Sequence, residues 1–441
     1  MLCAMAARAA EAPVSFFREV RPILKQNCQG CHRPGKTKGG LDLTTYAGLA
    51  KGGKEDPGFV QGDADKSRII HEIGGEEPTM PKDNEPLSAA EVALIAKWIA
   101  QGAHDDTPAE GDTHRLTAAP IYSHLPAISS IAWSPDGQWL AVAGYHEVLL
   151  HRGDGSAIAA RLAGESPRIE SVAFSSDGRL LGVAGGAPSE YGEIQLWDPA
   201  TQKLVRAIRT GHDAVYGLAF SPDGTQVSVG CPDKTVRAFS VSDGKEIMVC
   251  NNHVDWVFGT VFSRDGAQLA SVSRDKALKL IEVKTGRLVD DINSPRESLL
   301  SVARSPVDDL VVCGSENGEI RVFKMMGRGG RLSEGDNKEN SFVRDLPRMP
   351  GSVGTLAFSP DGAFLAAGST TGDARIYKVA DGKQTALKNT GGPLYAIAFY
   401  PEGKLVGAAG FDGKVHLIDA KTGEQIREFN GVPLSGAQAQ R

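Results

Sequence analysis

Apolar residues recur at helical spacing in two places near the start of the chain. Phe16, Val20, Ile23 and Leu24, with Phe17 beside them, share one face and predict a helix over Val14 to Asn27. Val92, Ile95, Trp98 and Ile99 do the same and predict a closing helix over Ala89 to Gln101, where Ser88 and Glu91 have capping-box spacing. The stretch between them reads as loop-rich. Two amphipathic helices in about 90 residues bury little on their own, so this region needs something further to complete a core. Residues 104–116, beginning His104-Asp105-Asp106-Thr107-Pro108, are polar and read as a linker.

From residue 117 the pattern changes to short alternating runs, such as Val215-Tyr216-Gly217-Leu218-Ala219-Phe220, each followed by a turn. The turn is one recurring tetrapeptide. It reads Ser134-Pro135-Asp136-Gly137, Ser175-Ser176-Asp177-Gly178, Ser221-Pro222-Asp223-Gly224, Ser263-Arg264-Asp265-Gly266, the degenerate Ser305-Pro306-Val307-Asp308, Ser359-Pro360-Asp361-Gly362 and Tyr400-Pro401-Glu402-Gly403. Proline presets φ, Asp bonds the following backbone and Gly accepts positive φ. The seven copies stand 41, 46, 42, 42, 54 and 41 residues apart. A third strand in the period ends at Trp197, Phe239, Ile281, Phe323, Tyr377 or Ile418, and a fourth follows a Gly, as in Gly423 to Phe429. Four strands per 40–45 residues predict propeller blades. The fold expected is therefore multidomain: a small all-α domain, then an all-β seven-bladed propeller. The segments are a leader or tail (1–13), a small domain (14–103), a linker (104–116), the propeller (117–431) and a tail (432–441). The longest gap between copies holds a polar insertion, about Gly327 to Asn340, expected to protrude. For the outer strand that closes the ring, residues 118–123 and 424–430 both align; the expectation is that 118–123 joins the last blade, so that the two ends of the array close the edge.

Charge excludes more than it suggests. The net charge is −6; residues 1–114 hold 13 Lys and Arg against 17 Asp and Glu, and no basic stripe is present. Nucleic acid is therefore not an expected partner. No run of 18 apolar residues offers a transmembrane helix. The alanine-rich start, with Ala7-Arg8-Ala9 and Ala10-Glu11-Ala12, has the character of a signal-peptidase site and reads as the end of a signal peptide or as a very short one. Of the six cysteines, Cys3 lies in that leader. Cys231, Cys250 and Cys313 read as buried thiols in apolar strands, with Cys231–Cys250 as a candidate disulfide if the protein is exported.

Cys28-Gln29-Gly30-Cys31-His32 is C-x-x-C-H. Two thiols at this spacing match the two vinyl groups along one porphyrin edge, and the adjacent imidazole is drawn under the iron. Cys28 and Cys31 are thus expected to form the thioethers of one covalent haem c, with His32 as an axial ligand. A zinc site would want two more Cys or His nearby, and residues 14–103 otherwise offer only His71. A thioredoxin-like pair would want a βαβ setting. The second axial ligand expected is Met80, the only Met between residues 14 and 103, in the stiff loop Pro78-Thr79-Met80-Pro81; His71 is the rival.

Residues 15–103 resemble the planctomycete-type cytochrome c domain. The matching pieces are Cys28 to His32, Lys38-Gly39-Gly40-Leu41-Asp42-Leu43, Leu49-Ala50-Lys51-Gly52-Gly53, Ser67 to Ile70, Met80-Pro81 and Trp98-Ile99-Ala100-Gln101-Gly102-Ala103; Lys82 stands where the family usually has a second Pro. The resemblance implies haem c, His/Met ligation and export; the small domain is expected to be class-I-like and the protein periplasmic or otherwise exported. The array resembles the WD-repeat family. Trp197-Asp198 is the intact WD dipeptide and Ile418-Asp419 a near miss. Two blades hold parts of the family's structural hydrogen-bond set: His212, Ser228 and Asp233 in one, His253, Ser271 and Asp275 in the other.

These readings converge on an electron-transfer haem protein that meets a redox partner at the haem edge and docks protein partners on the propeller faces. No catalytic residue stands out. An oxidoreductase with a second active site in the propeller is the first alternative, but proteins of that layout use eight blades and dedicated cofactor ligands. A haem-containing scaffold or gas sensor is the second, and would want a sixth iron position that opens easily.

Overall fold

A computed structural model describes residues 13–33, 36–54, 56–82, 85–107, 119–325 and 341–435. The leader, including Cys3, and the insertion at 327–340 lie outside the described residues. The chain divides into two compact units, Met1–His114 and Arg115–Arg441.

The first unit is small and has few helices. The expected Val14–Asn27 helix is two pieces: a π-helical turn at Phe16–Val20 and then α1, Arg21–Asn27. Pro22 explains the break. It brings no amide hydrogen to the second position of α1, and the turn before it closes with wider bonds, Val20 N to Ser15 O (3.2 Å) and Arg21 N to Phe16 O. Two helices were not anticipated, α2 (Tyr46–Lys51) and α3 (Arg68–Ile73). At six residues each they are too short to display a helical period. The closing helix α4, Ala89–Ala100, starts at the expected capping box: Ser88 Oγ accepts from Glu91 N, and Glu91 Oε2 accepts from Ser88 N at 2.8 Å. An aromatic cluster centres the core. Phe16 and Phe59 lie 5.3 and 5.1 Å from the Trp98 ring, and Tyr46 stands edge-on to Phe16 at 5.3 Å. Trp98 Nε1 donates to His104 O at 3.1 Å and Tyr46 OH to Ala103 O at 2.9 Å, so both buried polar tips are satisfied.

The second unit is a seven-bladed propeller. Seven antiparallel four-stranded sheets follow one another in chain order, spanning 131–163, 168–211, 216–250, 257–292, 299–346, 353–389 and 394–430. The repeated turn does the same work in each full copy. The Ser hydroxyls at 134, 175, 221, 263 and 359 donate to the Asp two residues on at 2.5–2.6 Å, and the glycine takes φ near +70°. The residues ending the third strands are all buried, from Trp197 at 6% exposure to Phe323 and Tyr377 at 0%. They pack between neighbouring blades.

Ring closure differs from the expectation. The last blade supplies its own outer strand, Gln425–Asn430, and Tyr122 lies outside that sheet in a parallel bridge to Leu434. A local hairpin wins the slot. Asp419 accepts from the backbone amides of Lys421 (2.9 Å) and Thr422 (2.7 Å), Gly423 takes φ +75°, and the strand pairs from Ile418↔Gln425 to Lys414↔Asn430. Closing this short loop costs far less chain entropy than recruiting a strand from the far end. The seam between the last and first blades is closed by packing instead. Ile128, Ile131, Trp133 and Leu140 share a cluster with Ala396, Ala409 and Leu417, and Ile128 N donates to Gly410 O at 2.9 Å.

The two WD-type sets also part company. His253 is bonded on both ring nitrogens, to Asp275 (2.8 Å) and Ser271 (2.8 Å). His212 is exposed; Ser228 pairs with Thr260 at 2.9 Å, and Asp233 turns to Thr235 and Arg237. Cys231, Cys250 and Cys313 are free, buried thiols, so the candidate disulfide does not form. Burial pushes the Cys231 and Cys313 thiols up to about 12.

Candidate haem site

The C-x-x-C-H motif sits where α1 ends. Cys28 N still bonds back to Leu24 O (2.9 Å), and the amides of Cys31 and His32 both return to Cys28 O at 3.1 Å. This single turn brings the two cysteines of the motif onto one bend of the chain. Gln29, at 5% exposure, anchors the bend by donating Nε2 to Leu43 O at 2.8 Å. Cys28 packs against the hydrophobic core, and burial pushes its thiol up to about 11.

His32 is held by the segment that follows it. Leu43 N donates to His32 O (2.9 Å), Lys38 N to Cys31 O (3.2 Å), and His32 pairs with Thr37 in a short ladder. Its Nδ1 lies 3.0 Å from Lys38 O. A carbonyl only accepts, so Nδ1 carries the hydrogen and the Nε2 lone pair is left for a metal. Gly39 and Gly40, at φ +67° and +77°, turn the backbone so that this carbonyl faces the ring.

Met80 lies 52 residues beyond Cys28, yet both pack against the same core. Its amide donates to Glu72 O, at the end of α3, at 2.9 Å. The rival ligand His71 is on α3 and exposed. Glu72 is drawn into the Met80 loop. The Thr79 hydroxyl donates to its carboxylate and, with Arg68 (2.9 Å), holds that carboxyl below its ordinary range against the pull of partial burial.

The donor set suits haem c. It offers two thiols on one turn, an imidazole with the right nitrogen free and a thioether beside apolar side chains. Ile23, Leu41, Ile70, Val92 and Leu94 are also only partly buried on this core, the kind of surface a large apolar ring would cover. Among the described residues no three His, Cys, Asp or Glu side chains gather as a metal cluster. Sequence pattern alone does not single out the Lys38 carbonyl or the Glu72–Thr79 pair, because both act through contacts between separate segments. The paired glycines after Lys38 were the one local signal.

Comparison with known families agrees with this division. Residues 28–84 match the model for planctomycete cytochrome C, and residues 117–151 and 203–240 match the WD domain, G-beta repeat. The chain is a planctomycete-type cytochrome c domain fused to a WD-repeat propeller. Residues 258–431 of this propeller also match the model for the nucleolar protein 10-like N-terminal domain. Among curated relatives, the human F-box-like/WD repeat-containing protein TBL1Y is 29% identical over 137 residues, 29% of this chain and 25% of its own. The periodic tryptophan protein 2 homolog of Schizosaccharomyces pombe is 32% identical over 254 residues, 57% of this chain and 28% of its own. The chain thus spans about a quarter of the length of these relatives, whose likeness supports the propeller. Among the described residues no helix is long and apolar enough to cross a membrane.

Proposed function

We propose that this protein is an exported, periplasmic electron carrier. In this reading residues 14–103 form a class-I-like cytochrome domain with one haem c, joined as thioethers to Cys28 and Cys31 and ligated by His32 Nε2 and Met80 Sδ. The observation that carries the reading is the His32 imidazole, which stands directly after two thiols on one turn and has Nδ1 already committed to Lys38 O. When bound, the haem supplies reversible one-electron chemistry, and His/Met ligation favours a comparatively high potential. Cys28 and Cys31 fix the ring at its edge. Lys38 O orients the imidazole, and the apolar side chains around Cys28 and Met80 keep water from the iron. Export follows because maturation of this motif takes place outside the cytoplasm. The propeller, a rigid body with loops on two faces, is the docking platform for a protein partner, with a redox partner meeting the haem edge.

The test is purification from a cytochrome-c-maturing host, with spectra recorded before and after addition of electron donors. A haem that survives acid–acetone extraction, is lost in the Cys28→Ala/Cys31→Ala double variant and cycles reversibly is the expected result. Haem retained by the double variant would overturn covalent attachment. Haem-loaded protein found only in the cytoplasm would overturn export. Rapid CO binding by the wild type would favour a gas sensor over a carrier.

A further inference from the structure

We propose that Glu72 is a positioning residue for Met80, holding the 78–81 loop through its backbone and its side chain together. This rests on the reading of Met80 as an iron ligand. Glu72 lies in the last turn of α3, where backbone carbonyls lack a partner within the helix. Gly74 N takes the carbonyl of Ile70 at 2.9 Å, and Met80 N takes that of Glu72 at 2.9 Å, so the helix end is capped by the ligand loop itself. The Thr79 hydroxyl donates to the Glu72 carboxylate and lies 3.3 Å from its carbonyl oxygen. Arg68, one turn back at i,i+4, donates Nε to the same carboxylate at 2.9 Å and reaches Asp56 at 3.3 Å, which fixes the carboxylate from its other side.

Two consecutive residues of the loop are therefore fastened to one residue of the helix. A neutral thioether is a weak donor and keeps its place at a metal only when its backbone does not wander; a pre-ordered loop removes the entropy cost of bringing it there. The same geometry bears on ligand choice. His71 immediately precedes Glu72 and is left exposed, so an intact Glu72–Thr79 pair presents sulfur rather than imidazole.

The test uses the full haem-loaded chain and four variants. Thr79→Val removes the donor at nearly constant shape, Glu72→Ala removes the acceptor, Arg68→Gln loosens the carboxylate, and Thr79→Ser restores the hydroxyl. The readouts are covalent haem content, the long-wavelength charge-transfer band of Fe(III)–Met, the potential and the CO association rate. Thr79→Val and Glu72→Ala should keep the haem, weaken the band and bind CO about tenfold faster, the scale set by losing a hydrogen bond to a charged group. Arg68→Gln should move the same way by less, and Thr79→Ser should behave as wild type. Replacement of sulfur by His71, seen as a bis-histidine spectrum at lowered potential, would also support the role. If Glu72→Ala fails to mature, Thr79→Val decides. Wild-type bands and CO rates in haem-loaded Thr79→Val and Glu72→Ala would overturn the proposal. A wild type that lacks the band would instead defeat the ligand reading on which it rests.

Discussion

The Nδ1 of His32 lies 3.0 Å from the carbonyl oxygen of Lys38, six residues along the chain. That contact fixes both the tautomer and the ring plane of the proposed proximal ligand, and it strengthens the imidazole as a donor to Fe(III). Gly39→Ala perturbs it by a defined route. An added Cβ meets nothing within 4 Å, so the strain comes only from φ +67°. The backbone should relax, the Lys38 carbonyl turn away and the potential rise. A shift on the order of 60 mV corresponds to a tenfold change for one electron. Protein-film voltammetry measures it, and an unchanged potential in a folded, haem-loaded variant would contradict the role given to this carbonyl.

Met80→Ala should lower the potential and abolish the Fe(III)–Met charge-transfer band, because a soft neutral sulfur favours Fe(II) over the water or histidine that would replace it. Met80→His should return a low-spin iron at low potential. If the wild type lacks the band and the Ala variant keeps the wild-type potential, His71 becomes the residue to examine.

The buried His253–Asp275 pair makes part of the propeller's stability acid-sensitive. Burial would raise the Asp275 carboxyl, but hydrogen bonds from His253 (2.8 Å) and Val254 N (2.9 Å) prevail and hold it at about 2, below the ordinary 3.8. A carboxylate depressed in the folded state stabilises above its unfolded pKa, and that stability is lost as pH falls through the folded value. The loss should run from about pH 4 to pH 2 and amount to about 2 kcal/mol. Urea unfolding across this range should show it, and Asp275→Asn should flatten the slope by that amount while the other depressed carboxylates, Asp243 among them, keep the remainder.

Ring closure yields a comparison of two edits. Cutting residues before 124 should leave hydrogen exchange in the 394–430 sheet unchanged, because among the described residues all four strands of that sheet come from 394–430. Replacing Ile426 and Phe429 by Pro should open the sheet's outer edge, since Gln425–Asn430 is its fourth strand. Protection lost in the first case and kept in the second would mean that the N-terminal segment supplies the strand.

At the seam, Tyr122→Phe removes the hydroxyl that donates to Glu147 at 2.7 Å, and Glu147 is fully buried. Arg161 still binds that carboxylate through Nε (2.8 Å) and Nη2 (2.5 Å), so the loss should be about 1 kcal/mol rather than collapse. Chemical denaturation of the wild type and the variant measures it.

What the sequence determined by itself was chemistry and structure carried by neighbouring residues. Cys28, Cys31 and His32 announce a haem motif because vinyl spacing selects a two-residue gap. Seven turns announce seven blades because Ser, Pro, Asp and Gly act on their own backbone, as the Ser134–Asp136 bond and its copies display. The capping box at Ser88 and Glu91 is local in the same way. Tertiary structure decided whatever depended on partners far along the chain or on competition between equal candidates. His212 and His253 occupy the same repeat position, and only the second finds its Ser and Asp. Residues 118–123 and 424–430 fitted one slot equally well by pattern, and the lower entropy of a local hairpin chose the latter. The helices at Tyr46–Lys51 and Arg68–Ile73 were too short to leave a period, yet the second sets the Met80 loop, because a helix end with unpaired carbonyls captures whichever amide the fold brings to it.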